Sequence, residues 1–531
     1  MHLQKLKNYA MILNEWIRKF IHGTFPFEKP KNSKNVMAYT PIQKIIEPSL
    51  KRVLELMNPS TYKIKLDNHH LDNSEFEIVK GDRQYNFNSK AKIIKGLQTH
   101  KEIQFEGKEI IEFVNGNNTL FALGKYILLN YISYDEDFKH KIFSGNISSF
   151  STCKDTTSFD NKYLRFIIPV GNKEPFRMSD FQRQYFVTPD KKSPYYILLN
   201  ITGEIYHLFN YKLGADFYLI IDGIQTTTFT LFQKKCFNAL LALGFISGNL
   251  IHDECFILSY NDNKMGMPDN IIYHSMRASV YSEQAVFTAN PFSVSEDIDW
   301  ERDENGTIKK EIREKLYKDI YDFSDDVFSK LASQFFEKEK LQRAALIFIQ
   351  SHTAALEIKI PNYYVAIEAI TGHISSEIAV DKKSLSPIKD NKVAKDFIQQ
   401  IIEIAEKTKI DSRLGDDDFN MGILLKNINK LNAPPNADKL SESFAHIGFT
   451  LSKEHKDILK DRNKFLHGSF LKTIGDDVEF REALHTALRL QFLISVLLLK
   501  LAGFTGKIIN YAELWSHITE RKLEEERLVK I

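Results

Sequence analysis

The sequence predicts a multidomain α+β protein, a strand-rich N-terminal region followed by an all-α helical bundle. Three observations carry this. A chain of 531 residues is too long for one ordinary hydrophobic core. From about residue 60 to 290, short β-branched and aromatic runs are separated by Gly, Pro, Asp and Asn, the pattern of strands and turns. From about residue 310, apolar residues recur at helical spacing almost to the end.

Taken in order, "MHLQKLKNYAMILNEWIRKF" has the spacing of an amphipathic helix, followed by the loop "GTFPFEKPKNSKN". Residues 1–50 are therefore read as an N-terminal helical extension and 51–300 as the strand-rich region. Within it "KYLRFIIPV", "SPYYILLNI", "DFYLIIDG" and "TTTFTLF" read as strands. "KKCFNALLALGF" (Lys234 to Phe245) reads as a helix ended by Gly244, and "ISGNLIHDECFILSY" as a return to strand. The polar, turn-rich stretch at about 287–310 is the expected linker. The helical region is 311–531. Pro361 is placed in a helix's first turn, Pro434 and Pro435 divide the bundle, and Gly503 stops its last long helix.

Composition excludes several classes. Hydrophobic residues at 43% and charged residues at 26% are those of a folded globular chain. A net charge of +2 cannot hold the protein on nucleic acid by itself, so any such contact is a local patch. Cys153, Cys236 and Cys255 are scattered and odd in number, which points to a reducing, cytoplasmic setting without a disulfide framework. The most apolar run, "LRLQFLISVLLLKLAGF" (Leu488 to Phe504), is short of a bilayer span and carries Arg489, Gln491 and Lys500. It reads as a buried bundle helix, and no membrane partner is expected.

One stretch says more. In "KDILKDRNKFLHGSF" (Lys456 to Phe470), a helix capped by Ser452 puts Ile458, Leu459, Phe465 and Leu466 on one face, with Arg462 among them. A guanidinium there needs an anion, because removing an ion from water costs several kcal/mol. His467 lies five residues on, about 140° around a regular helix. A helix that loosens at Gly468, or a second copy of the chain, would bring the two groups together. Arginine grips two phosphate oxygens at once, and histidine exchanges a proton near neutral pH. RNA carries its own nucleophile, the 2′-OH, so an Arg and a His suffice for phosphodiester transfer. Lys456, Lys460 and Lys464 recur every four residues beside this motif, as a solvated face or an RNA-binding phosphate track.

"RNKFLHG" (Arg462 to Gly468) resembles the Arg-Asn-x-x-x-His signature of HEPN-domain ribonucleases. The resemblance covers roughly 311–531 and implies a HEPN helical bundle that dimerises to form a composite site. It implies an endoribonuclease that needs no metal or other cofactor and leaves a 2′,3′-cyclic phosphate and a 5′-hydroxyl. On that pattern Arg462 and His467 are the catalytic pair and Asn463 the polar residue that follows the arginine. "YYVAIEAITGHI" supplies Glu368 as the acidic residue of an earlier helix, a resting-state anion for Arg462. A strand-rich region before such a bundle is similar to ApeA-like abortive-infection proteins. That likeness implies anti-phage defence, tRNA as a frequent target, and a phage-derived activator sensed by the N-terminal region.

Other motifs carry less. "HDEC" (His252 to Cys255) is similar to the His-x-Glu of zinc deaminases, but the chain has no Pro-Cys-x-x-Cys to complete a ligand set, so a strand is expected. His69 and His70 in "NHHLD" read as a polar loop. "DDDFN" (Asp416 to Asn420) reads as a solvated turn, and no glycine-rich nucleotide loop is present. The rivals to a nuclease are a non-catalytic interaction or dimerisation protein, with Arg462 in a structural ion pair, and a sensor that binds RNA or nucleotide without cutting.

Overall fold

The computed structural model describes residues 42–65, 74–92, 105, 107, 109–116, 118–134, 140–294, 300–377, 386–412, 418–432, 436–466, 477–522 and 524–531. The chain divides into two compact units. One is Met1–Phe336 with Gly506–Ile509 and Lys530. The other is Glu337–Thr505 with Asn510–Val529 and Ile531. The division falls between Phe336 and Glu337, later than the polar stretch at 287–310. The expected helix of the first twenty-five residues, His69, His70, Pro434, Pro435, His467 and Gly468 lie outside the described residues.

The first unit is built on a sixteen-stranded sheet. Its order begins at one edge with Ile42–Gln43, Gln184–Val187, Tyr195–Ile201, Glu204–Leu213, Asp216–Gly223, Tyr163–Gly171, Glu254–Tyr260 and Asn270–Ser275. It continues through Ser149–Ser151, Asn118–Leu123, Ile110–Asn115, Ser60–Lys65, Glu75–Lys80, Tyr85–Lys92 and His140–Ile147 to Ile127–Tyr134. Neighbouring strands run antiparallel except Ile42–Gln43, which lies parallel to Phe186–Val187. The outer half alternates in the manner of a sheet with one wet face: in Ser60–Lys65, Tyr62 and Ile64 are buried between exposed residues. The inner strands lose that alternation, and Glu254–Tyr260 is buried throughout.

Helix α1 (Glu47–Met57) and helix α2 (Phe229–Ser247) belong to this unit. "TTTFTLF" is not a strand. Thr228 is the N-cap of α2, its hydroxyl accepting from the Leu231 N–H, and Phe229 already lies in the helix. A β-branched run reads as strand until one threonine finds a backbone donor to accept from. The helix also outlasts Gly244. It ends at Gly248, whose φ of 79° is the left-handed conformation that lets the chain turn into the next strand. Helices α3 (Lys310–Tyr317) and α4 (Asp325–Glu337) follow, and the Ser329 hydroxyl of α4 accepts from the Asn200 N–H at 2.9 Å.

A buried ionic knot closes the sheet beside α1. Asp222, 1% exposed, accepts from Arg165 Nε at 2.7 Å and Lys44 Nζ at 2.6 Å. Burial alone would raise the Asp222 pKa, but the Arg165 and Lys44 charges outweigh it and hold the carboxyl far below its usual range. Arg165 also donates to the Ile45 carbonyl and the Ser49 hydroxyl, which pins the entry of α1.

The second unit is helical: α5 (Glu339–Ser351), α6 (Leu356–Glu377), α7 (Asn391–Ser412), α8 (Met421–Ile428), α9 (Asn436–His446), α10 (Lys453–Lys460), α11 (Arg462–Leu466), α12 (Asp477–Leu501), α13 (Tyr511–Leu514) and α14 (Ser516–Thr519). Its core lies between α5, α6 and α12, where Phe348, Ile349, Tyr363, Ile367, Leu493 and Leu497 are fully buried. Helix α12 is buried on every side from Ala487 to Leu499, which is why its sequence is apolar all round. It is the one helix among the described residues long and apolar enough to cross a membrane, and 78% of its apolar window is buried inside the protein. Gly503 stops it as expected: φ is 80°, and the Phe504 N–H bonds back to the Leu499 carbonyl at 2.9 Å. Pro361 sits inside α6 rather than in its first turn. Helix α6 opens a full turn earlier, at Leu356.

Candidate functional site

Arg462 begins where a helix breaks. Ser452 caps α10, its hydroxyl accepting from the His455 N–H at 3.2 Å while the Ser452 N–H donates to His455 Nδ1 at 3.4 Å. This is a reciprocal capping box with histidine in the place usually held by Glu or Gln. The helix does not run on to His467 as one rod. It is interrupted at Asp461, with ψ near 0°, and restarts as α11 at Arg462. The break therefore falls before the arginine.

Two aromatic contacts fix the break. Phe465, 8% exposed, stacks on Tyr364 of α6 at 5.9 Å between ring centres. The Tyr364 hydroxyl donates to the Ile458 carbonyl at 2.6 Å. Burial raises the pKa of that hydroxyl, and the nearby Asp461 adds to the effect, so it stays a donor across the accessible pH range.

Arg462 and Glu368 form an ion pair between α11 and α6, and Arg462 Nη1 also donates to Asn463 Oδ1 at 2.7 Å. The side chains of Arg462 and Glu368 are 20% and 34% exposed. Arg462 is thus partly buried, its Nε shielded from solvent, rather than buried like Leu459 and Phe465 of the same stretch. Residue spacing places Arg462 beside those side chains but does not say how deep each one lies. Arg462, Asn463 and Glu368 are brought together; His467 lies outside the described residues. Lys456, Lys460 and Lys464 are all exposed. Lys460 pairs with Asp457 at 3.0 Å, and the Lys464 ammonium stands 5.6 Å from the Phe465 ring centre.

The deeply buried guanidinium of this unit is Arg489. It is 1% exposed and is neutralised by Glu454 at 3.0 Å, Glu525 at 2.8 Å and Glu513. Glu454 also accepts from His485 Nε2 at 2.7 Å and Arg521 Nη1 at 3.1 Å. Glu454, His485, Arg489, Glu513 and Arg521 border a cavity of about 250 Å³ that Ser516 and Lys522 also line. The sequence carried a signal for Arg489, the same one that singled out Arg462: a charge interrupting an apolar helix. Among the described residues no group of three or more His, Cys, Asp or Glu is arranged to hold a metal ion. In "HDEC", Glu254 starts a strand and is bound by Lys80 Nζ and the Tyr273 hydroxyl, each at 2.8 Å.

The capping histidine makes the unit acid-sensitive. His455 is 1% exposed, and burial lowers its pKa from 6.5 to about 4. A folded-state pKa below the unfolded one means that protonation favours unfolding. The stabilisation is therefore full above pH 6.5 and lost as pH falls from 6.5 toward 4. Protonating Nδ1 also removes the acceptor used by the Ser452 N–H. Glu454 is held down to about 2, first by the His485 hydrogen bond, so its contribution is lost only from 4.5 toward 2. Acidification from pH 6.5 to 4 is expected to cost a few kcal/mol, read as a falling unfolding midpoint against pH.

No family model, curated protein or solved structure matches the chain.

Proposed function

We propose that this protein is an endoribonuclease of anti-phage defence that cuts RNA by attack of the 2′-OH, without a metal, at a composite site formed by two copies of its helical unit. The observation that carries this reading is Arg462 held between Glu368 and Asn463, partly buried in the helical unit, beside three exposed lysines. A structural ion pair gains little where both side chains keep some contact with water, as these do at 20% and 34% exposure, whereas a phosphate-binding guanidinium must be reachable. The Arg-Asn-x-x-x-His resemblance adds the chemistry. Arg462 exchanges the Glu368 carboxylate for the scissile phosphate and stabilises the charge that builds on its oxygens. Asn463 orients the guanidinium. His467 acts as general acid or base. Lys456, Lys460 and Lys464 draw the RNA backbone toward the site. The fold of the helical unit is read as the HEPN bundle, and a cytoplasmic dimer with tRNA as substrate completes the reading. The strand-rich unit serves as the sensor that restrains cleavage until a phage component binds.

Incubating tRNA with the purified protein in excess chelator, followed by a denaturing gel, tests this directly. Cleavage that persists with chelator and disappears in His467→Ala is expected. The second reading, a non-catalytic docking module, is favoured by the same ion pair, since Arg462 already has its anion. It predicts that wild type and His467→Ala are equally harmless when expressed.

A further inference from the structure

Helix α10, which leads into Arg462, is held from its first turn by one carboxylate. Glu454 receives three donors from two other elements: His485 Nε2 and Arg489 Nη2 from α12, and Arg521 Nη1 from the segment after α14. The chain from Asn510 to Arg527, which includes that segment, meets Arg489 as well, with Glu513 at Nη2 and Glu525 at Nη1. It is braced internally by Asn510 Nδ2 to Glu525 at 3.1 Å and the Glu524 N–H to Glu513 at 3.1 Å. The start of α10, the middle of α12 and the chain from Asn510 to Arg527 thus meet at a single guanidinium.

Capping and the helix dipole favour an acidic residue at this position, but neither requires it to be tied to three donors. The break at Asp461 supplies a reason. An interrupted helix does not transmit its own direction, so α10 needs a fixed point at each end. The Tyr364 hydroxyl on the Ile458 carbonyl is one of them. Glu454 is the other, and Arg462 follows eight residues after it, just past the break.

We propose that Glu454 and Arg489 are positioning residues for Arg462, and that the C-terminal segment Asn510–Arg527 sets the cleavage rate through them. This rests on the nuclease reading of the Arg462 site. A displacement near 1 Å at a reacting group costs up to about 10²-fold in rate, so a slackened clamp shows in cleavage before it shows in RNA binding.

The test uses the full chain with Glu454→Gln and Arg521→Gln. Single-turnover tRNA cleavage is measured alongside the Kd for the same RNA carrying 2′-O-methyl groups, which cannot be cut, and the Tm of each variant. Expected are cleavage slowed about tenfold or more, and a Kd within about twofold of wild type. Arg521, 37% exposed at its side chain, is expected to leave Tm nearly unchanged. Should Glu454→Gln fail to fold, Arg521→Gln decides. Wild-type cleavage by both variants while Arg462→Ala is inactive overturns the clamp and leaves the nuclease reading standing. A loss confined to Kd also overturns it, since Arg521 would then be an RNA contact. Wild-type cleavage by Arg462→Ala overturns both.

Discussion

Arg462→Ala is expected to lower the RNA cleavage rate on the order of 10³-fold while leaving the fold intact. The size follows from what the group does. Removing one donor that stabilises charge in a transition state costs about 10²–10³-fold, and an arginine that stabilises a phosphoryl transition state is worth about 10³–10⁵. The small effect on stability follows from the position. The Arg462 and Glu368 side chains are 20% and 34% exposed, and such pairs contribute about 1 kcal/mol or less. Arg462→Lys keeps the charge but loses the two-pronged grip on phosphate, so it is expected to restore little of the rate. Glu368→Gln releases the guanidinium from its resting partner and should strengthen RNA binding, measured with the uncleavable 2′-O-methyl RNA.

The largest effect on stability is expected at Arg489. Arg489→Ala leaves Glu513, 2% exposed, and Glu454 without their buried cation. Breaking such a pair from one side costs about 3–5 kcal/mol, because Glu513 is left buried without its cation. For a unit of this size, about 2–4 °C of Tm per kcal/mol makes the fall roughly 6–20 °C, measurable by calorimetry. Arg521→Gln touches the same carboxylate from the surface and should cost under about 1 kcal/mol. A single effect of both variants would contradict the burial argument, since the hub would then be solvated throughout.

What was legible beforehand follows physical range. Local patterns were enough for most strands and helices, for Ser452 as the cap of α10, for Gly503 as a stop, and for α12 as a buried helix. Glu368 could be named as the anion for Arg462 only with the family likeness, but the two do pair. Errors came where a local pattern serves two structures. "TTTFTLF" has strand composition, yet Thr228 turns it into a helix start. Gly244 looked like a terminator but lies inside α2, where Leu250 packs so close that a Cβ would fall 2.9 Å from its Cα. The Arg489 hub was illegible for another reason. Its partners Glu513 and Glu525 lie 24 and 36 residues away, and no periodicity reports which of many glutamates a buried arginine meets. The ionic knot at Asp222 spans still longer separations, to Arg165 and Lys44.

The most direct measurement is the sequencing of RNA ends from cells expressing the wild type or Arg462→Ala. If Arg462 grips a phosphate that the neighbouring 2′-OH attacks, wild-type cells accumulate new fragments with 2′,3′-cyclic phosphate and 5′-hydroxyl ends, and Arg462→Ala cells do not. The same ends in both strains, or fragments bearing 5′-phosphates, would contradict the account.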